Sequence, residues 1–214
     1  MPGFRSARGR GLGLVLGAAV LAAGGCGLAP DTSPAPSGTR VDQSSAVHDG
    51  NHGRRQHHAI NGSERRKAQL AAAAYQDVES AEAGGWRSSL KDLGCFEDPK
   101  RGGMGVHYIN DTLMDDTVDI TKPEALVYEL DANGAVTGLV AHEYIVPVDS
   151  WTKTAPPRLF GVAFHRHPSL PLYVLHAWLW KTNARGDFDD WNPAVRLCPT
   201  GAPVFGEDLP LPQS

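Results

Sequence analysis

Apolar and polar positions divide the chain into three regions. An apolar run spans Gly11 to Ala23, a polar region rich in Pro, Ser, Gly and Asp extends to about residue 62, and residues 63–214 carry regular apolar patterns. The polar region has too few large apolar side chains to form a packed core. We therefore expect a single globular domain at 63–214, a normal size for one domain.

A helical pattern opens this domain. Apolar residues recur at helical spacing between Leu70 and Ala81. Ser63 is suited to cap the start of a helix, and Gly84 and Gly85 are suited to end it. The pattern predicts an N-terminal helix with a narrow, alanine-rich apolar face, which suits packing against a sheet.

Strand patterns follow the predicted helix. Four segments are rich in β-branched and aromatic residues and are separated by Gly, Pro, Asp and Asn: 104–110, 124–130, 138–147 and 172–180. A helix followed by such segments predicts an α+β fold, with the N-terminal helix packed on an antiparallel sheet of four or more strands. The sheet is either open or curled into a half-barrel.

The pair Asn133-Gly134 predicts a two-residue type I′ hairpin turn between the second and third strands. With this turn, Leu126 opposes Ala141 and Glu124 opposes Glu143. A slip of one residue would place every side chain on the other face.

The first 25 residues have the pattern of a signal peptide, because three arginines precede an apolar run too short for the roughly 20 residues of a membrane span. The segment Ala23-Gly24-Gly25-Cys26 resembles a bacterial lipobox. We expect a lipidated Cys26 that holds the protein on the outer face of the cytoplasmic membrane or in the periplasm, and residues 26–62 as a disordered tether. The alternative is plain secretion with a free Cys26.

Four histidines lie in this tether, at positions 48, 52, 57 and 58. They either collect divalent metal or are solvated without a defined site.

Net charge excludes one class of partner. Removal of residues 1–25 deletes three arginines and no acid, which leaves 17 basic and 24 acidic residues and a formal net charge of −7. Such a chain lacks the positive charge needed to follow a phosphate backbone, so we expect no nucleic-acid partner.

Cys95 and Cys198 flank most of the predicted domain. In an oxidising compartment they are expected to form a disulfide, with two separate buried thiols as the alternative. Neither belongs to a CxxC pattern, so we assign them no catalytic role.

The last predicted strand combines a histidine with aromatic residues. Alternation places Val174, His176, Trp178 and Trp180 on one face. Indole rings beside a titratable group are more typical of a ligand pocket than of a dry core. We therefore expect Trp178 and Trp180 to contact a small-molecule ligand.

Polar residues also interrupt two other apolar strands, where the same alternation places His107 beside Ile109 and Glu143 beside Ile145. Two histidines and one carboxylate suit a zinc or ferrous iron site with an open position, and His165 is a candidate fourth ligand. His167, two residues further on, would point away in an extended segment. Two alternatives remain open, a hydrogen-bonded network in the core and a metal-free acid/base pair.

The loop after the last strand also permits two interpretations. Four of its side chains offer oxygen ligands for calcium: Asp187, Asp189, Asp190 and Asn192. Their spacing does not match an EF-hand, so a structural turn is the preferred interpretation. No GxSxG, P-loop, GxGxxG or SxxK pattern occurs in the domain, which gives no support to a serine or cysteine nucleophile.

Several motifs in fixed order carry a resemblance over roughly residues 68–198: "AYQDVESAEAGGW", "GGMGVHYIN", "KPEALVYEL", "HEYIVP", "LFGVAFH" and "LPLYVLHAWLWKTNARGDFDDWNP". The set resembles a group of exported bacterial proteins and lipoproteins of uncharacterised activity. The resemblance implies that His107, Glu143, His165 and His176 belong to recurring motifs of that group. It implies no activity.

The sequence thus favours an exported, lipid-anchored domain that binds a small ligand or a divalent metal on a sheet face bearing His and Trp. The alternatives are a metal-dependent enzyme that uses the same residues and a purely structural envelope protein.

Overall fold

The computed structural model describes residues 59–205. The predicted signal peptide, Cys26 and most of the predicted tether lie outside the described residues. Ile60 and Asn61, which the sequence pattern assigns to the tether, belong to the fold. Ile60 is buried and donates its backbone N–H to Asp187 Oδ2 at 2.9 Å, and Asn61 caps the first helix.

Most of the regular structure is β-sheet, as the strand patterns predict. The strands are β1 (Arg87–Ser88), β2 (Phe96–Asp98), β3 (Gly102–Ile109), β4 (Ala125–Leu130), β5 (Val136–Pro147), β6 (Arg158–Leu159), β7 (Val162–Ala163), β8 (His165–Arg166) and β9 (Leu172–Ala177). Seven of them form an antiparallel sheet in the order β1-β3-β4-β5-β9-β8, with β2 also paired to β3, and β6 pairs with β7. The large sheet does not close into a barrel.

The expected continuous N-terminal helix does not form. The segment is divided into α1 (Gly62–Ala71), a 3₁₀ turn (Ala73–Gln76) and α2 (Val78–Ala83). The break has a local cause, because the Asp77 carboxylate accepts the backbone N–H of Ser80 and so caps a new helix. Two further 3₁₀ turns span Asp111–Leu113 and Val148–Ser150. Within residues 59–205, none of the helices has the length and apolar character needed to cross a bilayer.

The β4–β5 hairpin differs from the expected two-residue turn. Its loop runs from Asp131 to Ala135, whose backbones are hydrogen-bonded, and Gly134 adopts a φ of 85°. The Asp131 carboxylate stabilises this longer loop by accepting the N–H groups of Asn133 and Ala135.

Register irregularities in the same hairpin follow Val127 and Glu129. As a result Leu126 opposes His142, and Ala125 rather than Glu124 opposes Glu143. The predicted Glu124–Glu143 and Leu126–Ala141 pairs are therefore wrong. Each bulge adds a residue to one strand, and this shifts the pairing by one position.

The predicted disulfide is confirmed, with Cα atoms of Cys95 and Cys198 separated by 5.8 Å. Cys95 donates its backbone N–H to the carbonyl of Pro203 and accepts the N–H of Phe205, which fixes the last described segment beside β2. The bond closes a loop of 103 residues, which the chain-entropy model values at roughly 4.7 kcal/mol.

The two faces of the sheet have different compositions. One face contributes only apolar and aromatic residues and His142 to the core, among them Tyr128, Tyr144 and Leu175. The other face carries three buried polar residues, His107, Glu143 and His176, beside a cavity.

Candidate metal centre

His107 on β3, Glu143 on β5 and His176 on β9 converge, as the sequence predicts. Each offers a ligand atom within 4.8 Å of the other two, and all three side chains are buried. The Nε2 atoms of the two histidines lie 3.4 Å apart, and His107 Nε2 lies 3.2 Å from Glu143 Oε2. Donor atoms about 3 to 4 Å apart are what tetrahedral bonds of about 2.0 to 2.2 Å require.

Strand register explains two of the three positions. Glu143 and His176 are directly paired across β5 and β9. His107 is separated from Glu143 by β4, where the intervening face carries only Ala125 and Val127. Because these two side chains are small, the longer side chains of His107 and Glu143 meet above them.

The two histidines meet although two strands, β4 and β5, lie between them. Strands lie roughly 4.8 Å apart, so β3 and β9 are about 14 Å apart along the sheet. The two imidazoles nevertheless approach to 3.4 Å. Their side chains therefore reach toward each other over the intervening strands, and the cavity beside them makes this the concave face of the sheet.

Gly105 changes the alternation of β3 beside the site. Its φ is 102°, and a Cβ there would lie 2.2 Å from the carbonyl oxygen of Tyr128, so any other residue would clash. Met104 and His107 both line the cavity although they are three positions apart. The glycine thus adds an apolar wall next to the histidine.

Asp190 is a fourth member of the site that the sequence analysis did not place there. Its Oδ1 lies 3.3 Å from His176 Nδ1, and its Oδ2 lies 3.2 Å from His165 Nε2. The only signal in the sequence was a run of acids soon after the strand bearing His176. Asp190 orients His176, as carboxylates commonly orient metal-binding histidines.

These contacts define the tautomer of His176. Its Nδ1 faces Asp190 Oδ1 at 3.3 Å and Glu143 Oε1 at 3.8 Å, so this nitrogen carries a proton. In the neutral ring Nε2 then has a free lone pair directed toward His107. His107 Nδ1 is buried and has no hydrogen-bond partner among residues 59–205. Asp190 therefore supports only one of the two histidines.

Opposite charges shift the pKa values of this cluster in opposite directions. Burial alone would lower the pKa of His176, but the charges of Glu143 and Asp190 outweigh it and raise the pKa. Burial would raise the pKa of Glu143, but the charges of His176 and His107 lower it. Asp190 has a pKa well below its usual range, because hydrogen bonds from His165 and His176 overcome its burial.

His165 lies at the rim of the cavity, with a side chain 44% exposed, and reaches the cluster only through Asp190. The expectation that His167 points away is wrong, because His167 also lines the cavity. Residues two positions apart in an extended segment point to the same side, so alternation itself places His167 with His165. The Nδ1 of His167 accepts the backbone N–H groups of Ser169 and Leu170.

The two tryptophans are separated. Trp178 stacks on the His176 ring with centroids 6.0 Å apart, and it donates its indole N–H to the carbonyl of Asp189. Trp180 packs against His142 and the apolar core of the opposite face. Neither is among the described residues that line the cavity.

The loop acids do not converge on a common centre. Asp187 pairs with Arg65, and Asp189 pairs with Arg185. Asn192 accepts the backbone N–H of Ala194. The preferred structural interpretation of the loop agrees with these contacts, with Asp190 as the exception.

The cavity next to the cluster has a volume of about 210 Å³. Besides the polar residues, its wall consists mainly of apolar side chains, including Phe96, Met104, Ile109, Met114, Ile145, Leu172, Val174 and Phe205. Three protein ligands beside such a cavity would leave one coordination position for water or an added ligand.

Comparison of the chain with protein-family models, curated proteins and solved structures gives no match. Functional conclusions therefore depend on the geometry of the site.

Proposed function

We propose that the protein binds one divalent transition metal ion, zinc or ferrous iron, through His107 Nε2, Glu143 and His176 Nε2. The observation that supports this proposal is the convergence of two imidazoles and one carboxylate, all buried, within 4.8 Å. Two histidines and a carboxylate are a common ligand set for both metals. The sheet would curl as a half-barrel around the site, with the N-terminal helical segment packed on its opposite face.

A metal also accounts for polar groups that fit poorly without one. In the metal-free state the lone pair of His176 Nε2 points toward His107 Nε2. The same nitrogen of His107 also lies within hydrogen-bond distance of the Glu143 carboxylate. A single proton on His107 Nε2 can serve only one of these two acceptors. A cation between the three donors would use both Nε2 lone pairs and one carboxylate oxygen at once.

We further propose that the protein is exported and anchored at Cys26 to the outer face of the cytoplasmic membrane or in the periplasm. The basic and apolar N-terminus, the lipobox-like segment and the resemblance to exported bacterial proteins support this location. The Cys95–Cys198 disulfide agrees with an oxidising compartment. Fatty-acid labelling that is lost in Cys26→Ala would support the anchor, and unchanged labelling would overturn it.

Metal stoichiometry tests the proposed site. The four tether histidines should first be replaced by alanine in the full mature chain, so that bound metal reports only the folded part. After reloading with Zn²⁺ or Fe²⁺, this protein should retain about one equivalent, as expected for a single site. His107→Gln and Glu143→Gln should each retain far less.

The matched control is His142→Gln, which changes a buried histidine of the same sheet outside the cluster. This variant should bind metal like the parent protein. Less than about a tenth of an equivalent in the parent would overturn the metal site and leave a structural envelope protein as the better explanation.

A metal-dependent enzyme is the second candidate, and the position of the cavity favours it. The cavity lies against the three donors, so a bound water or substrate could occupy the fourth coordination position. Asp190 and His165 lie next to His176 and could exchange protons with such a group. Cobalt substitution tests this, because a changed visible spectrum on adding cyanide indicates an open position, whereas an unchanged spectrum indicates a closed site.

A further inference from the structure

The cavity changes from polar to apolar along the strands. Glu143 and His176 are paired in one row across the concave face, and His107 lies in the adjacent row. Two residues further along each strand, the side chains on that face are all apolar, and they are Ile109, Ile145 and Val174. Ile145 pairs with Val174 just as Glu143 pairs with His176, so the apolar pair lies next to the polar pair.

Apolar residues continue beyond this second row. Met114 and Leu172 pack against the cluster that contains Ile145 and Val174, and both also line the cavity. Two residues of a strand span about 6.8 Å, so the distance along β9 from His176 to Leu172 is about 14 Å. A molecule with one end at the metal would place the rest of its length along this apolar wall.

The volume limits the size of that molecule. A cavity of about 150 Å³ lined by apolar side chains accepts benzene. The cavity here has about 210 Å³. It would hold one ring with a short substituent or an alkyl chain of medium length.

The charges determine the polar end of the molecule. A divalent cation with two neutral imidazoles and one carboxylate retains a net charge of +1, and it has an open position. The carboxylate of Asp190 in the cavity wall is already in contact with His165 and His176. Arg101, also in the wall, pairs with Asp98, so the metal centre supplies the net positive charge at the open position. An anionic oxygen would therefore be preferred as the fourth ligand, and an ammonium group would be repelled.

We propose that the cavity binds a small monocarboxylate with an apolar body. Its carboxylate occupies the open coordination position of the metal, and its body lies over Ile109, Ile145 and Val174. This inference rests on the metal site proposed above.

Titration of the cobalt-loaded full mature chain, with the tether histidines replaced, tests the inference. The probes are butanoate, hexanoate, octanoate and dodecanoate. Calorimetry and the visible spectrum of the cobalt measure their binding. Affinity should rise roughly threefold to fourfold per methylene from butanoate to octanoate, as expected for burial of CH₂ groups. It should stop rising by dodecanoate, because the cavity is then full.

Octan-1-ol has the same apolar body without the anionic head. It should bind at least about tenfold more weakly than octanoate, since charge-assisted interactions are the stronger ones, and leave the cobalt spectrum unchanged. A spectral change with octanoate but not with the alcohol would assign the carboxylate to the metal.

Two variants with larger side chains at the apolar end of the cavity test whether octanoate binds there. Val174→Phe should weaken octanoate at least about tenfold while cobalt stoichiometry is unchanged, because added volume competes with the ligand. Met114→Trp, at a partly buried position, gives the same test if the first variant does not fold. Leu70→Phe, at a position 66% exposed on α1, should bind octanoate like the parent.

The outcomes separate this inference from the metal site. Stoichiometric cobalt with no carboxylate binding, or with equal affinity for butanoate and octanoate, overturns the inference and leaves the metal site standing. Equal octanoate affinity in the parent and in Glu143→Gln overturns coordination by the metal. If the protein does not bind cobalt, both the metal site and the carboxylate inference are overturned. The measured cobalt stoichiometry identifies this outcome.

Discussion

His142 and His176 are both fully buried on neighbouring strands, yet their surroundings give them opposite properties. His142 packs with Tyr144 and Trp180, and its Nε2 has no hydrogen-bond partner among residues 59–205. Burial lowers the pKa of His142 to about 3, so the ring is neutral. His176 faces two carboxylates, and its pKa is raised. Burial alone therefore does not determine the chemistry of a histidine, because nearby charges can reverse its effect.

The same contrast applies to two buried glutamates. Glu124 accepts the backbone N–H of Ile145, and burial raises its pKa to about 8. Glu143 lies between two histidines, and its pKa is lowered. The concave face thus concentrates complementary charges, whereas buried His142 and Glu124 are neutral at moderate pH.

Removal of the Glu143 charge should have the largest effect on metal affinity, and it should separate the two faces of the sheet most clearly. Glu143→Gln should weaken metal binding by more than roughly 1000-fold, beyond the 10- to 100-fold typical of residues that only orient a ligand. Competition with a chelator measures the affinity. His142→Gln is the control, and an equal loss in both variants would contradict the distinction between the two faces.

Loss of the disulfide should loosen the concave face more than the opposite face. Phe205 stacks on Phe96 in the cavity wall with centroids 4.3 Å apart, and Cys95 holds the Phe205 segment through the backbone. Replacement of Cys95 and Cys198 by alanine should lower the free energy of unfolding by about 2 to 5 kcal/mol. Urea denaturation measures this change.

Amide hydrogen exchange shows which part of the variant without the disulfide loses stability. The exchange rate should increase more in β2 and β3 than around His142. Uniform acceleration across both faces would show that the bond acts on the whole domain alike.

Glu124→Gln should change how stability depends on pH. The pKa of Glu124 is about 8 in the folded protein and near 4.5 in the unfolded chain. Between these pH values the folded protein therefore binds more protons than the unfolded chain. Stability is therefore lost as the pH rises through this window, by about 3 kcal/mol between pH 5 and pH 8. Urea denaturation at several pH values should show that the variant lacks this loss. If the free energy of unfolding falls with pH equally in the parent protein and in Glu124→Gln, Glu124 is not a buried neutral carboxyl group.

Asp190→Asn should have a smaller effect, because Asp190 contacts the metal ligand rather than the metal. Metal affinity should fall roughly 10- to 100-fold, while Asp189→Asn, one residue away, should change it little. Isothermal titration with Zn²⁺ measures both. An unchanged affinity in Asp190→Asn would mean that Glu143 alone orients His176.

Strand alternation was sufficient to predict the three convergent residues. In a regular strand successive side chains point to opposite faces, so His107, Glu143 and His176 could each be assigned to a face with their apolar neighbours. The disulfide could also be predicted, since the chain has two cysteines besides Cys26. These predictions depend on local geometry or on composition, both of which are readable from one sequence.

Alternation failed where the strands end. β9 stops at Ala177, after which the backbone N–H of Trp178 bonds to Asp187 and that of Trp180 bonds to Val140. Trp180 therefore turns to the opposite face, although the pattern placed it beside His176. The continuous N-terminal helix failed for a similar reason, since the Asp77 cap outweighed the apolar periodicity.

The sequence by itself determined which residues are available to the site and which way each strand presents them, because a two-residue period is a local property of the backbone. Only the tertiary structure decided that β3 and β9, about 14 Å apart along a flat sheet, would bring two imidazoles to 3.4 Å. It likewise placed Asp190 behind His176 and shifted the β4–β5 register by one residue. Sheet curvature, bulges and loop packing arise from contacts between distant segments, and a pattern along one strand does not contain them.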